Sequence, residues 1–355
     1  MSQEVEETKL NQAKEPAMDK AKKNLVYMGM FSVFMLFAGF TSAYIVSMGD
    51  NFWVKAPLPK AFWISTVLIV LSSVAFQLAI AYNKKGDAKM LKLLATSTLI
   101  LGMAFVYFQF KGYGQLMDNG LHFTGSGIAV GDGRYGDFYT IKMDDDHLFV
   151  NGNDYLKGDK ILEGKEMERL QSFMEQFLKL ENTGPIKLDG SENFKLYYRD
   201  SEMIMQNGEL LMSDSTEVKI LDRDRLTKLA RNVVDGRGDF FMRGELGKDF
   251  HIFYKGSEVT YKDRNLYHKG KKMSDHLNTK ILESADTSSS YLYLITFMHL
   301  LHIMVTLIYL IRVVIRSFTG SINRSNSIGL KMGALFWHFL GLLWVYLLLF
   351  LLFIH

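Results

Sequence analysis

The sequence predicts an α-helical membrane protein: five transmembrane helices, with an α+β insertion between the third and fourth. Three observations predict it. Five segments, roughly 25–46, 62–82, 91–110, 291–315 and 333–355, are long and apolar enough to cross a bilayer. A span needs about 20 apolar residues, because lipid offers the backbone no hydrogen-bond partner and the chain must satisfy itself as a helix. Residues 112–289, by contrast, are polar enough for water, so the mean hydropathy of +0.03 averages two unlike halves. Within that polar block a short phrase recurs at a constant interval. The expected divisions are a cytoplasmic N-terminal segment 1–24, spans one to three in 25–111, the insertion 112–289, and spans four and five in 290–355.

The first 24 residues are charged and lack a small-residue cleavage motif ahead of a short apolar core, so the first span is expected to stay as an anchor. Lysine and arginine in short loops mark the cytoplasmic side. Lys20, Lys22 and Lys23 precede span one. Lys84, Lys85, Lys89 and Lys92 join spans two and three, and Arg312, Arg316, Arg324 and Lys331 join spans four and five. The loop 47–61 carries only Lys55 and Lys60 against Asp50, with Trp53 and Trp63 as interfacial aromatics. That loop, the insertion and the C-terminus are therefore expected outside, in a multi-pass inner-membrane arrangement with the N-terminus inside.

The absence of cysteine excludes disulfides, thiolate metal sites and a cysteine nucleophile. A net charge of +3 over 355 residues gives no sign of a nucleic-acid partner.

In the insertion, Phe138-Tyr-Thr-Ile-Lys-Met recurs as Phe194-Lys-Leu-Tyr-Tyr-Arg and Phe250-His-Ile-Phe-Tyr-Lys, an interval of 56 residues both times (194 − 138 and 250 − 194). Each copy runs into a polar turn and a second alternating stretch, at 148–150, 203–205 and 259–261, which reads as a hairpin. Helical spacing follows at 167–180, 226–234 and 276–285, giving about three β-hairpin/helix repeats. Asp144-Asp-Asp-His147 could bind a cation, but it falls at a hairpin turn, where aspartate is favoured for local hydrogen bonding. Arg237-Gly-Asp239 is a tripeptide that chance supplies. The glycines of 131–136 lack the lysine and helix of a phosphate loop and suit a turn entering a strand.

Histidine in a lipid-spanning helix is costly, so His299, His302 and His338 need a reason. Heme or copper ligation and a proton relay are the functional readings. Hydrogen bonding between helices, as structural intramembrane polar contacts, is the plainer one and is favoured. In span one, Ala38, Gly39, Ser42 and Ala43 make overlapping small-xxx-small pairs that permit close helix packing. No acidic residue lies in any span, which argues against a self-contained proton pump.

These residues carry a family resemblance. Met35-Leu-Phe-Ala-Gly-Phe-Thr-Ser-Ala-Tyr44, Pro57-Leu-Pro-Lys-Ala-Phe-Trp63, Leu71-Ser-Ser-Val-Ala-Phe-Gln-Leu78, Leu101-Gly-Met-Ala-Phe105, His299-Leu-Leu-His302 and Trp337-His-Phe-Leu-Gly-Leu-Leu-Trp344 occur in order. Together they resemble subunit III of the heme-copper oxidases, in a five-helix form. Two carboxylates usual in that family are replaced here, by Val33 and Gly341. The insertion also stands where other members have a short loop.

The resemblance implies a subunit with no catalysis of its own and no catalytic, cofactor-binding or metal residues. Heme and copper would sit in partner subunits, and phospholipid in the cleft of helices one and two. It implies packing against subunits I and II of a respiratory, proton-translocating terminal oxidase, favouring the cytochrome c type. The insertion is then expected as a periplasmic docking surface for cytochrome c or a quinol-oxidising complex. The rival is a membrane-anchored periplasmic sensor or ligand-binding protein.

Overall fold

The computed structural model describes residues 2–124, 127–189, 193–322 and 326–354. Arg324, counted above among the cytoplasmic cations, lies outside the described residues. The chain forms two compact units, one of Met1–Ser47, Leu58–Met117 and Ser290–His355, the other of Met48–Pro57 and Asp118–Ser289.

The chain opens with α1 (Ser2–Asp50), β1 (Phe52–Lys55), α2 (Lys60–Lys85) and α3 (Ala88–Asp118). The insertion continues with β2 (Tyr139–Met143), β3 (Asp146–Asn151), β4 (Asp154–Lys157), β5 (Lys160–Ile161) and α4 (Lys165–Glu175). Next come β6 (Phe194–Tyr198), β7 (Ser201–Glu202), β8 (Ile204–Gln206), β9 (Glu209–Leu211) and α5 (Ile220–Val234). It closes with β10 (His251–Tyr254), β11 (Ser257–Lys262), β12 (Asn265–His268), β13 (Lys271–Lys272) and α6 (Asp275–Glu283), ahead of α7 (Thr287–Phe318) and α8 (Ile328–Phe353).

Among the described residues five helices are long and apolar enough to cross a membrane, α1, α2, α3, α7 and α8. Local chemistry sets their ends. Gly86, at φ +84°, terminates α2 and turns its N–H back to the Asn83 and Tyr82 carbonyls, a conformation that glycine adopts at little cost. Asp87 then accepts the Met90 N–H at 3.1 Å and starts α3. In α1, Val33, Phe37, Thr41 and Tyr44 form one buried face at helical spacing while most of the other described side chains are exposed. Helix α8 is the most enclosed, burying Trp337, Leu340, Trp344 and Leu347.

Three boundaries differ from the sequence reading. The N-terminal segment is continuous with the first span, because α1 starts at Ser2. Helix α3 runs past 111 to Asp118, since Tyr113 and Leu116 continue its buried face. The largest correction is the loop 47–61. Its residues Phe52, Trp53 and Val54 are at most 2% exposed. They form β1, antiparallel to β10 from Phe52↔Tyr254 to Lys55↔His251. Four residues with no polar alternation gave no strand signal.

The insertion holds its strands in a sheet of order β1-β10-β11-β12-β13, a second of order β5-β4-β3-β2-β6-β7, and the pair β8-β9. The leading strands β2, β6 and β10 fall on the three recurring phrases. Consecutive positive φ values at Asp144 and Asp145, Arg199 and Asp200, and Lys255 and Gly256 make the tight turns that suit antiparallel strands. The aspartates of 144–146 sit at that first turn, where Lys157 and Arg169 hold Asp144. The glycine-rich loop does feed a strand: Gly136 donates to the Tyr139 carbonyl at the start of β2. The short strands β4, β5, β9, β12 and β13 went unseen in the sequence. Below the six-stranded sheet, Tyr139, Ile141, Leu148, Leu170, Phe173, Leu226 and Val233 build the core with α4 and α5.

Candidate functional site: polar contacts in the helical bundle

Within the helical unit the three histidines occupy different environments. His299 on α7 is fully buried, and its Nε2 lies 2.9 Å from the Leu340 carbonyl of α8. That partner is an acceptor, so Nε2 donates and Nδ1 carries the lone pair. Nδ1 has no hydrogen-bond partner and faces an aromatic surround: Phe37, Phe105 and Trp344 have ring centroids 6.2, 6.1 and 5.3 Å away. His302, one turn on, spends Nδ1 on its own helix, 2.7 Å from the Met298 carbonyl, and sets its ring edge against Phe37. His338 on α8 packs 6.5 Å from Phe76 of α2, with Nε2 unpartnered. One of the three therefore makes a hydrogen bond between helices. Among the described residues no three His, Asp or Glu side chains are grouped as metal ligands would be.

Most polar links between helices come from residues that the sequence reading passed over. Gln109 of α3 donates to Ser65 of α2 at 2.8 Å, and Trp344 Nε1 of α8 to Thr66 of α2 at 2.9 Å. Tyr113 of α3 donates to Thr296 of α7 at 3.2 Å, and Tyr346 of α8 to Thr41 of α1 at 3.3 Å. Each removes a polar group from lipid at both ends of the bond, which is why they occur in pairs. The one available signal was Gln109, an amide alone in an apolar span.

Close packing likewise falls on other glycines. A Cβ at Gly112 would overlap the Phe62 ring, one at Gly102 would meet Leu307 at 2.7 Å and Trp337 at 2.8 Å, and one at Gly333 would meet Tyr309 at 2.6 Å. At Gly39 a Cβ would meet nothing within 4 Å. Gly39, Ser42 and Ala43 are exposed and Ala38 is half-buried, so this small-residue face turns away from the chain's own bundle. The two replaced carboxylates also have addresses. Val33 is buried on the inner face of α1, and a Cβ at Gly341 would stand 3.2 Å from Ser73 Oγ of α2.

In the insertion, the strongest electrostatic centre is Asp239, 4% exposed. It takes hydrogen bonds from Arg134 Nε (2.6 Å), from Arg264 Nε and Nη2 (3.2 and 2.5 Å) and from the Tyr261 hydroxyl. Burial opposes its ionisation, but these bonds and both guanidinium charges outweigh burial and hold the carboxyl below its usual range. The Arg-Gly-Asp tripeptide is thus an internal staple. Asp286, just ahead of α7, behaves oppositely. Burial raises its pKa despite hydroxyl donors from Ser288 (2.6 Å) and Ser289.

Residues 259–355 match the family described as cytochrome c oxidase subunit III. It is the family indicated by the motifs above. The match takes in α7 and α8, hence His299, His302, His338 and Gly341, and reaches back through β12 and α6 into the insertion. No curated protein matches the chain. Subunit III is a component of an oxidase complex, and the five apolar helices make this a multi-pass membrane chain.

Proposed function

We propose that the chain is a non-redox accessory subunit III of a respiratory heme-copper terminal oxidase, stabilising the catalytic subunit during aerobic electron transport and proton pumping. The observation that carries this reading is the subunit III match over α7 and α8, the segment that contributes His299 and its carbonyl partner. The outward small-residue face of α1 supports it, because close helix approach is useful only against a neighbour and none of the chain's own helices fills the space at Gly39. Subunits I and II would be those neighbours, supplying heme and copper, and phospholipid would fill the cleft beside helices one and two. The insertion, with its strand-and-helix order repeated three times, would lie on the periplasmic side of a bacterial inner membrane. There it would present a docking surface for cytochrome c or a quinol-oxidising complex.

The test is mild-detergent purification of the tagged chain, with mass spectrometry of its partners and a reduced-minus-oxidised spectrum. Recovery of an oxidase catalytic subunit with heme bands is expected. A colourless chain recovered alone would overturn the proposal.

A further inference from the structure

Two arginines are buried among the described residues, Arg223 and Arg237. Arg223 is satisfied: its Nε donates to the Val218 carbonyl (2.8 Å), its Nη1 to that of Glu181 (3.1 Å) and its Nη2 to that of Gly184. Arg237 is not. Its counter-charge is Asp235, with Nη2 3.5 Å from the carboxylate, and its buried Nε has no hydrogen-bond partner. A guanidinium carries five donors and stays charged, so leaving them unpaired in the interior is costly. Arg237 is also held where it stands. The Phe241 ring faces the guanidinium carbon at 4.8 Å, and the Tyr155 hydroxyl donates to the Arg237 carbonyl at 2.7 Å.

More positive charge gathers at the same place. The loop after Arg237 is fixed by Asn153, whose side chain accepts the N–H groups of Gly238 (3.0 Å) and Phe240 (3.1 Å) and donates to the Met242 and Gly244 carbonyls. This loop carries Arg243, an exposed residue whose backbone N–H donates to the Asn119 carbonyl at 3.0 Å. Gly120, at φ +92°, passes so close to the Phe241 carbonyl that a Cβ would overlap it. His122 follows two residues later, within the fields of Arg237, Asp235 and Arg243. Burial first, and then the Arg237 charge, lower its pKa, so at pH 7 the imidazole is neutral and offers an N–H. Two guanidinium groups are thus accompanied by one carboxylate, in a frame already fixed.

We propose that Arg237, Arg243 and His122 bind a phosphate group. A carboxylate presents its two oxygens along one edge and matches one guanidinium, whereas a phosphate directs oxygens to several sides and can take donors from both arginines and the imidazole together. Placement favours a phospholipid headgroup over free phosphate as its source. Helix α3 has 31 residues, hence a length of about 46 Å, and a bilayer with its headgroups is about 40–45 Å thick. The end of α3 at Asp118 therefore lies at headgroup level, and His122, four residues on, is at most about 14 Å from it. Phe123, 52% exposed beside His122, offers the aromatic contact that suits an interface. All three binding residues belong to the insertion and none to the first two helices, so the site is separate from the lipid cleft proposed above.

The experiment is a titration of the full-length protein in detergent with dioctanoylphosphatidylglycerol, with inorganic phosphate, and with dioctanoylglycerol, which lacks the phosphate. Hydrogen-exchange mass spectrometry locates the binding and calorimetry measures it. The phospholipid should slow exchange in residues 119–123 and 237–243. Arg243→Gln should weaken its binding about tenfold at unchanged Tm, because the side chain is exposed and only its charge-assisted bonds are lost. Arg237→Lys, which keeps the charge but not the fork, should weaken it as well. Lys272→Gln, an exposed cation on β13, should leave it alone. Protection by inorganic phosphate without protection by the phospholipid would keep the site and assign it to free phosphate. Equal protection by dioctanoylglycerol, protection by neither phosphate compound, or an unchanged affinity in Arg243→Gln would each overturn the proposal.

Discussion

Gly112 and Gly39 show how much a single hydrogen at Cα decides. The spacing of Ala38, Gly39, Ser42 and Ala43 announced a close-packing face, and spacing alone cannot say whether that face turns toward the chain's own helices or away from them. Gly112, where a Cβ would overlap the Phe62 ring, gave no such pattern. Gly112→Val should therefore destabilise the chain by ~1–3 kcal/mol through overpacking, seen as a lower Tm in detergent. Gly39→Leu should leave that Tm unchanged and instead reduce the oxidase subunits retained on purification. The reverse pattern would contradict the orientation of α1.

Asp239 was equally unreadable, because its partners Arg134, Tyr261 and Arg264 are far away in sequence. Its carboxyl is depressed in the folded state, so the stabilisation is present at neutral pH and is lost as pH falls below the ordinary carboxylate range, through the folded value. The protection factors of amides in β11 and β12, corrected for the pH dependence of intrinsic exchange, should fall on acidification. Asp239→Asn should cost about 1–3 kcal/mol at pH 7, since it leaves two partly buried guanidinium groups without their counter-charge, and should flatten that acid response.

At the scale of elements, long-period signals survived translation from sequence and short ones did not. The five spans and the strands β2, β6 and β10 stood out, because twenty apolar residues or a phrase repeated three times outweighs local noise. Two-residue strands such as β5 and β13 exist only because a neighbouring hairpin templates them. β1 is the instructive case. It is covalently part of the α1–α2 connection, yet it supplies the edge of a sheet whose other strands lie some 200 residues on, from His251 to Lys272. Stacking of Phe52 on Tyr254, at 4.5 Å, and the Ser288 hydroxyl on the Val54 carbonyl, at 2.6 Å, seal it in place. The insertion is consequently incomplete without the loop between the first two spans. Changing Phe52, Trp53 and Val54 together to serine should expose β10, with faster hydrogen exchange at Ile252–Tyr254 and new proteolytic cleavage nearby, while α7 and α8 stay protected. Unchanged exchange in β10 would mean that the pairing contributes nothing to the fold.

For the molecule as a whole, connectivity restricts the possible topologies. The chain enters the second unit from the ends of α1 and α3, and leaves it into the starts of α2 and α7. The shared strand pairing of β1 with β10 requires the α1–α2 loop and the insertion to occupy the same aqueous compartment. The cationic loop between α2 and α3 must then face the opposite compartment, provided each helix crosses once. Lysine there, at Lys84, Lys85, Lys89 and Lys92, predicts that this opposite side is the cytoplasm, by the tendency of cationic short loops to stay inside. Because the chain has no cysteine, single-cysteine labelling reads this directly. Ser201→Cys on β7 and Ala88→Cys at the start of α3 are both exposed positions. A membrane-impermeant maleimide applied to intact spheroplasts should modify the first and spare the second until the membrane is permeabilised. Labelling of Ala88→Cys alone would invert the topology and remove the insertion from reach of any periplasmic electron donor, whereas labelling of both would show that α2 and α3 do not cross as a pair.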